Sequence, residues 1–384
     1  MRILHSSDWH LGRSLHRVPL IEPQRAFLRA LIETVERERV DVVVVAGDVY
    51  DRAIPALEAI DLFDGVLRGL AELKVPLVMI SGNHDSPRRL GVGSRLIELA
   101  GIHLRTDPAD CARPVVLQDS DGPVAFYGVP YLEPGLVRES LGAESAHHHA
   151  VLGVAMDQIR ADLATRPGTR SVVLAHAFVT GAEETRDSER DITAGGISDV
   201  PKSVFNGVDY VALGHLHRSQ SLGDRVRYSG SPLPYSFSET GSTKSMWLID
   251  LDSAGAITAR TVPCPEPYRL EQITGQMDTL LSDSVYTVFE DAWLHVTLTD
   301  PSRPHMAMER LRQRFPHVLR LSFRTDGPSA DGLPSREHLE GMTDHEVVLA
   351  FLNHVTGGGD ATNAEQELLR EGIEKIRIAQ GESI

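Results

Sequence analysis

The stretch DVVVVAGDVYD, Asp41 to Asp51, decides the fold. Its consecutive β-branched residues favour extended backbone, and the lack of apolar/polar alternation marks a strand buried on both faces. The run stops at Gly47, and polar residues follow at once: Asp48, then Asp51. An apolar strand that delivers carboxylates at its carboxyl end is where open α/β sheets build their sites.

The same punctuation recurs on either side. Arg2–His5 reads as a short strand and leads to Asp8-Trp9-His10, and Pro76–Ile80 leads to Gly82-Asn83-His84-Asp85. Ser171–Ala175 leads to His176, and Tyr210–Leu213 to Gly214-His215-Leu216-His217. Helical spacing separates these strands at Leu20–Arg39, where Phe27, Leu28, Leu31, Ile32 and Val35 share one side, and again at Pro55–Leu73 and Ala150–Ala164. Val124–Val129, Arg225–Ser229 and Ser245–Leu251 are further strands. This order predicts an α/β fold, a layered domain with mixed central β-sheets flanked by helices, over residues 1–265. The proline-rich VPCPEPY, 262–268, is expected to end it. A small α+β unit follows at 266–325, with strands Trp293–Leu298 and Val318–Phe323 around a helix at Pro304–Phe315. A polar linker is read at 326–342 and helices at 343–384, broken by TGGGDAT at 356–362.

Composition narrows the function classes. With 54 acidic and 38 basic residues the formal net charge is −16, so the surface does not attract nucleic acid by itself; acting on DNA would require basic surface borrowed from a partner. The two cysteines, Cys111 and Cys264, lie far apart and imply neither a disulfide framework nor a thiolate metal site, only buried or incidental thiols. The amino terminus MRILHSSD has no signal-peptide pattern, and no apolar run approaches the roughly 20 residues that cross a bilayer, so a cytoplasmic protein without membrane contact is expected. The run His147-His148-His149 reads as a polar, loop-like stretch.

Asp8, His10, Asp48, Asn83, His176, His215 and His217 together offer carboxylate, amide oxygen and imidazole, which suit divalent manganese, iron or zinc. Two ions need about seven protein ligands, one a carboxylate bridging them at ~3.5–4 Å. Any one of these motifs alone is as well explained by a turn. Five in order, each at a strand end and each with the right ligand type, are not.

The motifs DWH, GDVYD, GNHD, AHAF and GHLH fill every position of the pattern of the calcineurin-like metallophosphoesterases, which the chain resembles over residues 8–217. HSSDWHLGRSLH (5–16), SERDITAGGISDVP (188–201), FNGVDYVALGHLHRSQ (205–220) and RYSGSPLPYSFSE (227–239) resemble the bacterial SbcD family of nuclease subunits. That resemblance implies one metal on Asp8, His10, Asp48 and His217, and a second on Asp48, Asn83, His176 and His215, with Asp48 as the bridge. It implies His84 as general acid or transition-state contact, and Asp51 as its hydrogen-bonding partner; some relatives carry His where this chain has Asp51. The implied cofactor is two divalent ions, manganese above all. The implied activities are double-strand 3′–5′ exonuclease and single-strand endonuclease on DNA, in end processing, hairpin cleavage, recombination and repair, with an SbcC-type coiled-coil ATPase.

The resemblance also implies that the α+β unit caps the site. Dimerisation is expected through helices near Ala56–Leu70 and Ser94–Ala100, giving a homodimer within a heterotetramer. The C-terminal helices are expected to dock on the ATPase. There, eight acids stand against three bases, and Leu368, Leu369, Ile373, Ile376 and Ile378 are apolar. No GxxxxGK[ST] loop occurs, so ATP hydrolysis is not expected of this chain. Arg13, His16 and Arg88 flank the ligand motifs and are candidate phosphate contacts. The alternatives are another calcineurin-like phosphodiesterase or phosphatase, or a DNA-end-binding scaffold with an idle site.

Overall fold

In a computed structural model that describes residues 1–183, 200–324, 342–355 and 361–380, the run Val42–Ala46 is a strand buried at every position. Its side chains alternate between two cores. Val43 and Val45 pack with Phe27, Leu31, Leu62 and Phe63 from the helices Ile21–Glu38 and Leu57–Leu73. Val42 and Val44 pack with Phe126, Val172, Leu174 and Tyr210 of a second sheet. An unbroken apolar run is what such a position demands, because neither face meets water.

The first sheet has six strands, in the order Ile257–Pro263, Ser245–Leu251, Arg2–Ser6, Val42–Ala46, Leu77–Ile80, Ile102–Arg105. The last four run parallel, and the first two are antiparallel additions. The second sheet also has six, in the order Gln220–Ser221, Val226–Tyr228, Tyr210–Gly214, Arg170–His176, Gly122–Val129, Val115–Asp119. Its inner four are parallel and both edges antiparallel. Helices Pro134–Leu141 and His148–Ala164 cover its outer face through Val137, Leu141, Val151, Leu152, Met156 and Ile159. The result is the expected α/β fold, in four layers: helices, mixed sheet, mixed sheet, helices.

VPCPEPY does end regular structure, from its third residue on: Val262 and Pro263 close the strand Ile257–Pro263, with Ser245 paired to Pro263, and no helix or strand follows until Leu270. This strand is the outermost of its sheet, where a residue without an N–H costs least. One expectation is corrected here: the histidine run is not a loop, since the helix begins at His148. Cys111 and Cys264 are both buried, and desolvation pushes each thiol up to about 12.

Contacts divide the chain into Met1–Glu271 and Gln272–Ile384. The boundary falls inside the strand Leu270–Gly275, which with Trp293–Leu298 and Val318–Phe323 forms a sheet with helices Met277–Ser282 and Ala307–Arg314, around Leu280, Leu294, Val296, Leu311 and Phe315. Helices Asp344–Val355 and Asn363–Gln380 follow. Each opens on a reciprocal cap: Thr343 with Glu346, and Thr362 with Glu365, bond side chain to backbone N–H in both directions. Residues 188–199 of the SbcD-like segment, the linker up to 341, residues 356–360, and the side chains of Ile376 and Ile378 lie outside the described residues.

Candidate metal centre

The carboxyl ends of Arg2–Ser6, Val42–Ala46 and Leu77–Ile80 in one sheet meet those of Arg170–His176 and Tyr210–Gly214 in the other. Buried hydrogen bonds tie the two rims. The His5 ring reaches Tyr210 Oη (2.8 Å) and the Leu213 carbonyl (3.2 Å). The His215 N–H donates to Asp8 Oδ1 (2.9 Å), and His176 Nδ1 donates to the Ala46 carbonyl (2.8 Å). Residues up to 208 positions apart are thereby brought into one buried cluster.

The loops that do this are conformationally costly. Asp8, His10, Asp48 and His215 all have positive φ, at 53°, 44°, 49° and 103°. Non-glycine residues persist there only when surrounding structure over-determines them. The backbone supplies the restraint: Asp8 N–H donates to the Gly47 carbonyl (3.0 Å), and His10 N–H to the Asp48 carbonyl (2.9 Å). The neighbouring glycines are required by space. A Cβ on Gly82 would lie 2.2 Å from Asp48 Oδ1, and one on Gly47 would lie 2.4 Å from His176 Nδ1, with φ at +90° besides.

Three overlapping groups place their ligand atoms within 4.8 Å of one another: Asp8, His10 and His217; His10, Asp48 and His84; Asp8, Asp48 and His176. Asn83 joins through Oδ1, 2.9 Å from His176 Nε2, and the His215 ring lies 5.4 Å from that of His176. All seven ligand candidates are therefore at one place, with Asp48 in two of the three groups. Asp48 Oδ2 lies 3.6 Å from His10 Nε2 and 3.5 Å from His176 Nε2, while Oδ1 accepts the His84 backbone N–H (2.8 Å).

Electrostatics point to a cation. Burial keeps His10 and His217 well below the ordinary histidine range and takes His215 down to about 3, so all three are neutral. Yet His10 Nε2 and His217 Nε2 face each other at 3.1 Å, two basic nitrogens with at most one proton between them. Burial and the adjacent Asp48 push Asp8 up to about 7, despite His176. Desolvation works against a charged His176, but the Asp48 carboxylate prevails and raises it to about 9. His10 Nδ1 and Asn83 Nδ2 are buried without a hydrogen-bond partner among the described residues. A pocket rich in acceptors and poor in protons, made of carboxylate, amide and neutral imidazole, fits divalent cations.

The other candidates divide. His84 is half-buried, its ring edge-on to His10 at 4.6 Å. Its Nδ1 bonds to Asp51 at 2.9 Å, but to the backbone carbonyl. Asp51 is thus the hydrogen-bonding partner of His84 through its main chain, while its carboxylate lies 3.7 Å from His10 Nδ1 and 3.6 Å from Arg13 Nη1. Arg13 thus belongs to the rim, where it also stacks over Tyr235 at 4.9 Å. His16 is exposed and stacks on Phe237 at 5.3 Å. Arg88 is exposed on the short helix Pro87–Leu90, with no ion pair or side-chain hydrogen bond among the described residues.

Several positioning residues were not foreseen. The Asp85 carboxylate gathers the N–H groups of Val49, Tyr50 and Gly82 at 2.9–3.1 Å and so staples two ligand loops together. Gln24, fully buried, donates to the His10 carbonyl (2.7 Å) and accepts from Gly12 N–H (3.0 Å). Tyr235 packs edge-on against both His10 and His217 and donates to the Trp9 carbonyl. Asp85 was visible inside GNHD as a letter without a role. Gln24 and Tyr235 sit in segments whose patterns speak only of a helix and a loop.

Comparison with known proteins agrees with this geometry. Residues 1–219 match the calcineurin-like phosphoesterase family, and residues 267–356 match the Type 5 capsule protein repressor C-terminal domain family, SbcD_C. The chain is 31% identical to the SbcD protein of the SbcCD nuclease from Staphylococcus saprophyticus over 383 residues, covering 99% of this chain and 98% of that protein. Among solved structures, the protein TT1561 of Thermus thermophilus aligns with a TM-score of 0.38 at 15% identity, over 68% of this chain and 98% of that one. A dimetal phosphatase from Danio rerio aligns with a TM-score of 0.39 at 15% identity, over 68% and 96%. The chain therefore belongs to the calcineurin-like phosphoesterase family, a family of metal-dependent hydrolases, and within it to the homologues of SbcD.

Proposed function

We propose that this protein is a DNA nuclease subunit that hydrolyses phosphodiester bonds with two divalent ions, manganese in preference, and works with an SbcC-type coiled-coil ATPase. The observation that carries it is the convergence of all seven ligand candidates around Asp48. It occurs in a chain whose likeness to a nuclease subunit runs from end to end. Double-strand 3′–5′ exonuclease and single-strand endonuclease activity follow from that likeness, as does a cytoplasmic place of work. No helix is long and apolar enough to cross a membrane among the described residues.

Asp8, His10, Asp48 and His217 are the residues to hold one ion, and Asp48, Asn83, His176 and His215 the other. When bound, such a pair supplies Lewis acidity to the phosphoryl oxygens and acidifies a water. The chain does the rest. Because a carbonyl only accepts, His84 Nδ1 carries a proton toward Asp51, which leaves Nε2 for the substrate. In the doubly protonated ring, Nε2–H is the group to donate a proton to the departing sugar oxygen, leaving the neutral Nδ1–H form, or to meet a phosphoryl oxygen as charge builds on it. Asp51 acts through its backbone on His84 and through its carboxylate on Arg13, so it is a positioning residue.

The acidic balance supports a partner that supplies basic surface. Phe351 and Leu368, 53% and 75% exposed on the C-terminal helices, support docking of those helices on it. Leu57, Val92, Leu96 and Leu99, each at least 74% exposed, support a homodimer through the helices near the site. The test is manganese-dependent cleavage of linear duplex and single-stranded DNA, with a chromogenic phosphodiester alongside. DNA cleavage that disappears in Asp48→Ala is expected. Hydrolysis of the small diester or a phosphoprotein alone would overturn the DNA assignment and favour another phosphodiesterase or phosphatase.

A further inference from the structure

We infer that the buried ion pair Glu239–Lys244 is a positioning device for the His10–His217 flank of the metal centre. The inference rests on the two-ion reading above. Glu239 and Lys244 have side chains only 1% and 5% exposed, and they contact each other directly. Taking two charges out of water is costly, and such a pair contributes little net stability over apolar residues of similar volume. This pair is aimed at a ligand from two directions.

Lys244 Nζ donates to the His217 carbonyl (2.9 Å) and to Ser231 Oγ (2.9 Å), and Ser231 N–H donates to the same His217 carbonyl (3.1 Å). The ammonium and the Ser231 amide together clamp the backbone of the ligand. Glu239 Oε1 accepts the Tyr235 N–H (2.9 Å) and lies 4.0 Å from His217 Nδ1. Tyr235 in turn lies against His10 and His217, with ring centroids 5.4 and 5.7 Å away. A carboxylate on the Nδ1 side favours the tautomer that carries its proton there, which turns the Nε2 lone pair toward His10 Nε2. Among the described residues, the contacts of this pair toward the centre fall on His217 and Tyr235. Its effect falls on one ion site and not the other.

The double variant Glu239→Gln/Lys244→Met tests this, because it keeps net charge and volume and leaves no buried charge unpaired. Manganese titration by calorimetry and melting in chelator are measured on the full chain. Wild type is expected to bind two ions. The double variant is expected to melt near the wild-type temperature in chelator and to keep one tight site. Its second site is expected to weaken about 10- to 100-fold, the usual effect of losing an outer partner of a ligand. Nuclease activity is expected to recover at raised manganese concentration. Two sites of wild-type affinity in the double variant would overturn the inference, and fewer than two ions in wild type would overturn the two-ion reading instead. If the double variant does not melt cooperatively, Glu239→Asp decides. It leaves both charges in place but draws the carboxylate back from the Tyr235 N–H and from His217 Nδ1, so weakening of one site only supports the device, whereas unchanged binding overturns it.

Discussion

The two flanks of the centre are built differently. Asp8, His10 and His217 are at most 1% exposed and are held by side chains: Ser7 on Asp8, Gln24 on the His10 carbonyl, Lys244 on the His217 carbonyl, Tyr235 against both rings. Asn83 and His84 are half-buried, and the backbone holds that flank. His176 bonds the Ala46 carbonyl, the His84 ring bonds the Asp51 carbonyl, and the His84 amide bonds Asp48. A closed flank fixes ligand geometry through a dense side-chain network. A half-open flank must admit a substrate, so it relies on main-chain groups that keep their place without crowding the opening.

Asp48 is the residue through which the two flanks touch, so its loss should make the largest difference. Asp48→Ala is expected to remove both ions in manganese titration and to abolish DNA cleavage. Retention of one tight ion would mean the flanks are independent sites. His84→Ala comes next, with kcat falling by about 10²–10⁴ while both ions stay bound. Loss of an ion would move His84 from the substrate side to the ligand set. Gly82→Ala should press a methyl group onto Asp48 Oδ1, 2.2 Å away before relaxation. A cost of about 1–3 kcal/mol in denaturant melts, the usual range for overpacking, is expected together with weakened metal binding.

Smaller effects sharpen the contrast further. In metal-free protein, His176 is raised from 6.5 to about 9, mainly by Asp48 acting against desolvation. A group whose pKa is higher folded than unfolded stabilises the fold fully below its unfolded value and loses that contribution as pH rises through the folded one. The melting temperature in chelator should therefore fall between about pH 6.5 and 9, and this part of the slope should flatten in Asp48→Asn. The smallest effect belongs to the rim. Arg13→Ala is expected to raise KM for DNA about twofold to fivefold, the scale of an exposed charge contact, and to leave the small chromogenic diester untouched.

The unequal legibility of the flanks in the sequence has the same origin. Strand ends announce themselves locally, since an apolar run followed by Gly-Asp, Gly-Asn-His or Gly-His-Leu-His is complete within a few residues. The Val42–Ala46 strand, the helices on either side of it and the seven ligand candidates that the fold brings together were readable on that basis. Strands without that punctuation were not. Ile102–Arg105, Val115–Asp119 and Ile257–Pro263 went unread, the last because only its end, Val262 and Pro263, falls in the proline-rich stretch where regular structure stops.

By itself, then, the sequence determined the α/β class, the order of the elements and the identity of the metal-competent side chains. Periodicity and ligand chemistry are properties of neighbouring residues, so a chain carries them before it folds. Tertiary structure alone decided that there are two sheets with a shared core, and that Asp48 lies between the flanks. It also decided that Asp51 serves His84 with its carbonyl, and that Glu239 and Lys244 reach back to His217. A backbone carbonyl has no letter in the sequence. A buried charge pair shows its purpose only when distant strands close around it, because its partners are chosen by distance in space and by the removal of water.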